Sequence, residues 1–226
     1  FDMDGLMFDT ERLCFNVWKQ VAGETGRELS EKTYTACIGR NSRDTRRIMQ
    51  DEWGADFPCE EFLSRARKLM REEMERDGPP EKPGLRKLLG FLAEQKIPAA
   101  VATSSGRESA LWMIGRAGLT GYFTAFAFGN EVEQGKPAPD IFLAALGRIN
   151  EAFLNREPGG DRALLPEECI VLEDSPAGLL GASAAGMKPV FIKDLAEPQE
   201  EALSLVLASP QNLAEVIPLI QGLSEK

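Results

Sequence analysis

Cys169-Ile170-Val171-Leu172-Glu173-Asp174-Ser175-Pro176 is the stretch on which the reading of this chain turns. A short apolar, β-branched run gives way to two carboxylates and then to Ser-Pro, a pair suited to the cap and first turn of a helix. The run has the length of a buried strand, and the small-residue segment after Pro176 is closed by Gly186, so a strand is followed directly by a helix. The pattern recurs. Leu85, Leu88, Leu89 and Leu92 repeat at helical spacing before the apolar run Ala99-Ala100-Val101-Ala102-Thr103, and Pro189-Val190-Phe191-Ile192 follows Gly186. Strands alternating with helices predict an α/β fold, a parallel sheet covered on both faces.

The segment from Glu11 to Asp77 breaks this rhythm. Leu13, Val17, Trp18 and Val21, then Ile48 and Met49, then Phe62, Leu63, Leu69, Met70 and Met74 recur at helical intervals without a strand-like run. This predicts an all-helical insert, with Trp18 and Trp53 as core residues rather than substrate platforms. Asp77-Gly78-Pro79-Pro80 with Pro83-Gly84 is the strongest linker signal and marks the return to the core; the other hinge falls near Asp9 to Cys14. The expected division is a core of 1–11 and 79–226 with an insert at 12–78. Asn155 to Pro166, containing Pro158-Gly159-Gly160-Asp161, reads as a loop longer than a βα connection needs.

The chain has 226 residues, 43% of them hydrophobic, enough for one large domain or a core with a smaller insert. Lys and Arg number 26 against 36 Asp and Glu, a net charge of -10, which argues against nucleic-acid binding by phosphate neutralisation. There is no histidine, so imidazole bases, Ser-His-Asp triads and His-ligated zinc are excluded and chemistry falls to carboxylates, Lys and hydroxyls. Cys14, Cys37, Cys59 and Cys169 are too scattered for a metal clip or a disulfide scaffold, so reduced thiols and a cytoplasmic location are expected. No run approaches the roughly 18 to 20 apolar residues of a membrane span, and no basic leader precedes the first acidic residues.

Several local motifs carry polar chemistry, and each has a purely structural reading beside it. Asp2-Met3-Asp4-Gly5 sets two carboxylates two residues apart at the end of an apolar residue, but could equally form a tight hairpin turn. An EF-hand calcium loop fits poorly, because Leu6 and Leu13 stand at ligand positions. Glu173-Asp174-Ser175-Pro176 could be only a capped helix start, Lys136-Pro137-Ala138-Pro139-Asp140 only a helix entry, and Thr103-Ser104-Ser105-Gly106 only a cap. The four motifs are nevertheless all expected at carboxyl ends of strands, where open α/β sheets bind ligands.

In that order, Asp2-x-Asp4-Gly5, Thr103, Lys136-Pro137-x-Pro139-Asp140 and Glu173-Asp174-Ser175, the chain resembles the haloacid dehalogenase-like hydrolase superfamily over essentially its whole length, in the phosphatase and β-phosphoglucomutase-like branch. The resemblance implies a Rossmann-like parallel core with a small helical cap inserted after the first strand. That strand normally holds several apolar residues where only Phe1 precedes Asp2 here, so further residues are expected upstream of this numbering. It also implies that Asp2 is the nucleophile taking the phosphoryl group and Asp4 the general acid and base. Mg²⁺ is implied on Asp2, the Asp4 backbone carbonyl and Asp174, with Glu173 acting through a bound water. Lys136, the Thr103 hydroxyl and the Ser104 N–H are implied to hold the phosphoryl oxygens, with Ser105 and Arg107 as weaker candidates. From the cationic cap stretch Gly39-Arg40-Asn41-Ser42-Arg43, Arg40 and Arg43 are expected to reach substrate.

The expected activity is a Mg²⁺-dependent phosphatase acting on a small phosphorylated metabolite such as a sugar phosphate, through an aspartyl-phosphate. The alternative is a sugar phosphomutase. In β-phosphoglucomutases a histidine shortly after the first motif couples the acid to a sugar hydroxyl, and Cys14 stands in the corresponding place here. Dehalogenation is disfavoured because Asp4 and Asp174 are both present, and a non-catalytic binding module because every expected catalytic position is filled.

Overall fold

The computed structural model describes residues 1–38, 42–154, 162–195 and 200–224. The chain separates into two compact units, Thr10–Pro80 and the pair of segments Phe1–Asp9 and Glu81–Lys226. The first is helical throughout: α1 (Thr10–Glu24), α2 (Glu31–Cys37), α3 (Ser42–Trp53) and α4 (Cys59–Asp77). Its apolar stripes meet in an aromatic centre. Trp18 lies edge-on to Tyr34 at 5.4 Å and to Phe62 at 5.5 Å, and Trp53 packs on Phe57 at 4.6 Å and Phe62 at 5.4 Å. Trp18 is buried in this unit, as the spacing predicts, while Trp53 packs on the same aromatic group but stays half-buried. Ser30 opens α2 by accepting from the Thr33 N–H at 3.0 Å. The unit ends where α4 stops at Asp77 and Gly78 takes a φ of +81°, directly before Pro79-Pro80.

The second unit is α/β. It contains α5 (Leu85–Glu94), β1 (Ala100–Thr103), α6 (Arg107–Arg116), β2 (Ala125–Phe128), α7 (Asp140–Leu154), β3 (Ile170–Glu173), α8 (Pro176–Ala184), β4 (Lys188–Phe191), α9 (Glu200–Leu203) and α10 (Val216–Ser224). Strands β1 and β2 pair in parallel from Ala100 opposite Ala125 to Thr103 opposite Phe128, and β3 and β4 from Ile170 opposite Lys188 to Glu173 opposite Phe191. Phe1 and Asp2 join the two pairs. The Phe1 nitrogen donates to the Ala100 carbonyl at 2.8 Å, Ala102 N–H donates to the Phe1 carbonyl at 2.8 Å, and Asp2 N–H donates to the Leu172 carbonyl at 3.0 Å. The main chain thus runs in the order β2, β1, Phe1–Asp2, β3, β4. Every residue of β1 is buried, which is why it reads as a continuous apolar run rather than an alternation. Ala102, Ala127, Ile141, Phe142, Leu146, Val171 and Ala182 belong to one core cluster, with α7 supplying its bulky members and the strands mostly small ones.

The three expected strands are present with ends shifted by one residue, and β2 is an addition that the sequence does not announce. Its Ala125-Phe126-Ala127-Phe128 lacks β-branched residues, and it is flanked by single 3₁₀ turns at Thr120–Tyr122 and Gly129–Glu131 rather than by a long helix on each side. Of the expected long loop, residues 155–161 lie outside the described residues; Pro166–Glu168 form a 3₁₀ turn.

Candidate active site

Asp2 is placed by the sheet itself, because its own N–H is bonded to Leu172 and the preceding carbonyl to Ala102. The chain must turn immediately afterwards. Gly5 takes a φ of +84° and donates to the Phe8 carbonyl at 2.9 Å, while Met7 N–H donates back to Met3 at 2.9 Å. The turn reading of Asp4-Gly5 is therefore correct for the backbone, and it is also what brings Asp4 beside the strand ends. Ser105 Oγ donates to Asp4 Oδ2 at 2.7 Å. Ser105 N–H in turn donates at 3.0 Å to Oγ1 of Thr103, a residue only 1% exposed at the end of β1.

Lys136 reaches in from the connection between β2 and α7 and is the hinge of the charge arrangement. Its Nζ lies 2.5 Å from Asp2 Oδ1 and 2.5 Å from Glu173 Oε1, with the Phe142 ring 5.1 Å beneath it. Burial alone would pull this ammonium down, but the carboxylates of Asp2 and Glu173 hold it above its ordinary value. Glu173 is fully buried and uses its other oxygen to accept from the N–H groups of Asp174 at 3.0 Å and Ser175 at 2.9 Å and from Ser175 Oγ at 2.9 Å. These donors open α8, where the helix dipole favours an anion, and Ser175 Oγ accepts from Gly178 N–H at 3.1 Å as its N-cap. Gly178 is obligatory in this packing, since a Cβ there would stand 1.8 Å from Glu173 Oε1.

Asp2, Glu173 and Asp174 present oxygens within 4.8 Å of one another, all buried. Lys136 offsets part of their charge, and the remainder has a physical consequence. Burial, then the neighbouring carboxylates, raise Asp174 to about 9, and burial foremost raises Asp2 to about 7 despite Lys136. Asp174 Oδ1 is buried with no hydrogen-bond partner, and a Cβ on Gly5 would meet Asp174 Oδ2 at 2.2 Å, so the carboxylate sits in a cradle shaped by the absence of a side chain. Hard oxygen donors, an excess of negative charge and an orphaned buried oxygen fit a small divalent cation.

The sequence-selected residues Asp2, Asp4, Thr103, Ser105, Lys136, Glu173 and Asp174 are thus linked by direct contacts or close approach. Ser104 is exposed beside them. Arg107 is turned elsewhere: it pairs with Glu131 at 2.7 Å and lies over the Phe128 ring at 5.3 Å. Arg43 is an exposed residue of α3 in the helical unit, and Arg40 lies outside the described residues. The site also draws on a residue that motif reading missed, Asp194. Its carboxylate oxygen Oδ2 stands 3.2 Å from the point a Gly5 Cβ would occupy, and its only signal in sequence is an acidic residue just past a strand end. All four cysteines are free thiols, and no helix among the described residues is long and apolar enough to cross a membrane.

Residues 1–192 match the family described as haloacid dehalogenase-like hydrolase. The chain is 30% identical over 224 residues to a phosphorylated carbohydrates phosphatase of Thermotoga maritima, covering 96% of each chain. It is also 30% identical to the fructose-1-phosphate phosphatase YqaB of Escherichia coli, covering 85% of this chain and 94% of that one. Among solved structures, a Thermotoga maritima protein provisionally named a β-phosphoglucomutase superposes with a TM-score of 0.79 at 28% identity, over 98% of this chain and 97% of the other.

Proposed function

The chain belongs to the haloacid dehalogenase-like hydrolases and is a phosphatase of that family, and from this premise we propose that it hydrolyses a small phosphorylated sugar or polyol through a phosphoryl-aspartate on Asp2. The observation that carries the reading is the buried contact of Lys136 with Asp2 and Glu173 beside an Asp4 held by Ser105. Lys136 occupies Asp2 Oδ1, which leaves Oδ2 to attack phosphorus while the ammonium meets the phosphoryl oxygens. The Thr103 hydroxyl, already accepting from Ser105 N–H, keeps its own proton to donate to the same oxygens. Asp4, steered by Ser105, gives its proton to the departing alkoxide. The resulting carboxylate then takes a proton from water, whose oxygen attacks the phosphoryl-aspartate, so that inorganic phosphate leaves and Asp2 is restored. Glu173, with both oxygens engaged by the protein, keeps Lys136 aimed.

A divalent cation such as Mg²⁺ would be held by Asp2, Asp174 and the Asp4 carbonyl, where it would supply positive charge against the carboxylate-phosphate repulsion. The names of the relatives support a phosphorylated carbohydrate as the substrate class.

The phosphomutase reading draws on the β-phosphoglucomutase name of the structural neighbour. Cys14 weighs against it: burial pushes its thiol up to about 11, so the group stays a neutral, weak donor at physiological pH and cannot take the part of an imidazole. The experiment is one reaction followed by phosphorus NMR with Mg²⁺ and a bisphosphate activator. Release of inorganic phosphate from sugar phosphates is expected to dominate. Interconversion of glucose 1-phosphate and glucose 6-phosphate outrunning that release would replace hydrolase by mutase.

A further inference from the structure

Behind the carboxylates of the site lies a second buried charge pair that belongs to none of the sequence motifs. Asp194 follows the end of β4, and its carboxylate is 1% exposed. Oδ1 accepts from the Lys82 ammonium at 2.6 Å, itself only 10% exposed. Lys82 is anchored at its other end as well: its N–H donates to the Met7 carbonyl at 2.9 Å, in the turn that follows Asp2, and its ammonium stands 4.0 Å from Asp9.

The remaining oxygen of Asp194 is the informative atom. Oδ2 is buried without a hydrogen-bond partner, as is Asp174 Oδ1, and Asp194 Oδ2 and Asp174 Oδ2 flank the same face of Gly5. A tie to Lys82 needs one oxygen. A second, orphaned oxygen turned toward another carboxylate is repulsive and unsolvated unless a donor lies within reach. Asp194 also falls outside the group whose oxygens gather within 4.8 Å, Asp2, Glu173 and Asp174, so it stands too far back to share a cation with them directly. A water on that cation, with its protons directed outward, would satisfy Oδ2.

We propose that Asp194, braced by Lys82, is a positioning residue of the cation site, its Oδ2 accepting a hydrogen bond from a water on the cation held by Asp2 and Asp174. The inference rests on the cation reading above. It makes the site two shells deep, with Lys136 the counterion of the front shell and Lys82 that of the rear one.

The test uses the full chain and Mn²⁺ as a paramagnetic probe, the free ion being counted by electron paramagnetic resonance. Asp194→Asn retains an oxygen for Lys82 and removes the charge behind the site. It is expected to weaken Mn²⁺ binding about tenfold or more while the circular dichroism and the melting temperature in EDTA stay near wild type. Lys82→Gln, which loosens the brace and leaves Asp194 in place, is expected to weaken it by a smaller factor and serves as the deciding variant should Asp194→Asn not fold. Wild-type protein that binds Mn²⁺ together with a folded variant that binds it within about twofold as well would overturn the rear-shell role alone. Wild-type protein that takes up no Mn²⁺ would overturn both this inference and the cation reading.

Discussion

Lys136 with Asp2 and Lys68 with Glu72 are the same chemical pairing in two regions of the molecule. On α4 of the helical unit, Lys68 and Glu72 stand 3.8 Å apart with side chains 69% and 50% exposed, and Arg71 and Glu75 repeat the arrangement one turn on. At the strand ends of the α/β unit, Lys136 and Asp2 stand 2.5 Å apart and are 7% and 10% exposed. Water and salt screen the first kind of pair until it contributes little. The second kind has lost its hydration, so each partner depends on the other, and removing either one leaves a buried group without its counterion. Exposure, rather than the residue types, separates a solubilising surface from a reactive one.

That contrast can be broken most severely at Asp2. Asp2→Asn should retain the fold and lose turnover by about a thousandfold or more, because an amide neither attacks phosphorus well nor carries the charge that Lys136 faces. Phosphate release measured under saturating substrate would contradict the covalent route if the loss stayed within about tenfold, roughly 1.4 kcal/mol.

Next in size is Lys136→Met. Removing the ammonium leaves Asp2 and Glu173 buried without their shared cation, a change of about 3 to 5 kcal/mol when such a pair is broken. Urea unfolding of the metal-free protein should show it, and an unchanged midpoint would mean that the pair is far better solvated than its exposure implies.

A smaller effect concerns pH. Asp2 and Asp174 are raised above their ordinary value of 3.8, to about 7 and about 9, so over that range the folded chain holds protons that the unfolded chain releases. Stability of the metal-free protein should therefore fall as pH rises from 6 to 8.5, and added Mg²⁺, which favours the ionised carboxylates, should stabilise more at pH 8.5 than at pH 6. Denaturation curves in EDTA and in Mg²⁺ test this; stability in EDTA that rises across the window would be the opposite sign. Exposed Glu24 in the helical unit shifts the other way, held down by its hydrogen bond to Arg65, so it does not add to this trend.

The smallest effect is expected at Lys68→Ala, within about 0.5 kcal/mol of wild type by the same unfolding measurement. A loss of several kcal/mol there would erase the distinction between the two regions.

The sequence discloses this molecule unevenly, for physical reasons. Strands β1, β3 and β4 are legible because they are buried on both faces and written as unbroken apolar runs, whereas β2, made of alternating Ala and Phe, has no β-branched residue to mark it. Asp2, Asp4, Glu173 and Asp174 are legible because their carboxylates come in close pairs where an apolar stretch gives way to polar residues, and Lys136 because Lys136-Pro137-x-Pro139-Asp140 is a motif in its own right. Asp194 and Lys82 are not, since a lone Asp and a lone Lys 112 positions apart carry no local pattern and become a pair only through the fold. Arg107 shows the reverse case: the resemblance makes it a weaker candidate for the phosphoryl oxygens, and in the structure it pairs with Glu131 on the neighbouring connection.

The join at Phe1 and Asp2 makes the position of the proposed nucleophile a matter of counting. Side chains alternate across a sheet, so a slip of one residue against Ala102 and Leu172 would carry Asp2 to the opposite face and deliver Phe1 or Met3 to Lys136 in its stead. Among the described residues, the main-chain bonds that unite the two strand pairs are also the ruler that locates the Asp2 carboxylate against Lys136. A slip at that seam would therefore set an apolar side chain, in place of a carboxylate, against Lys136.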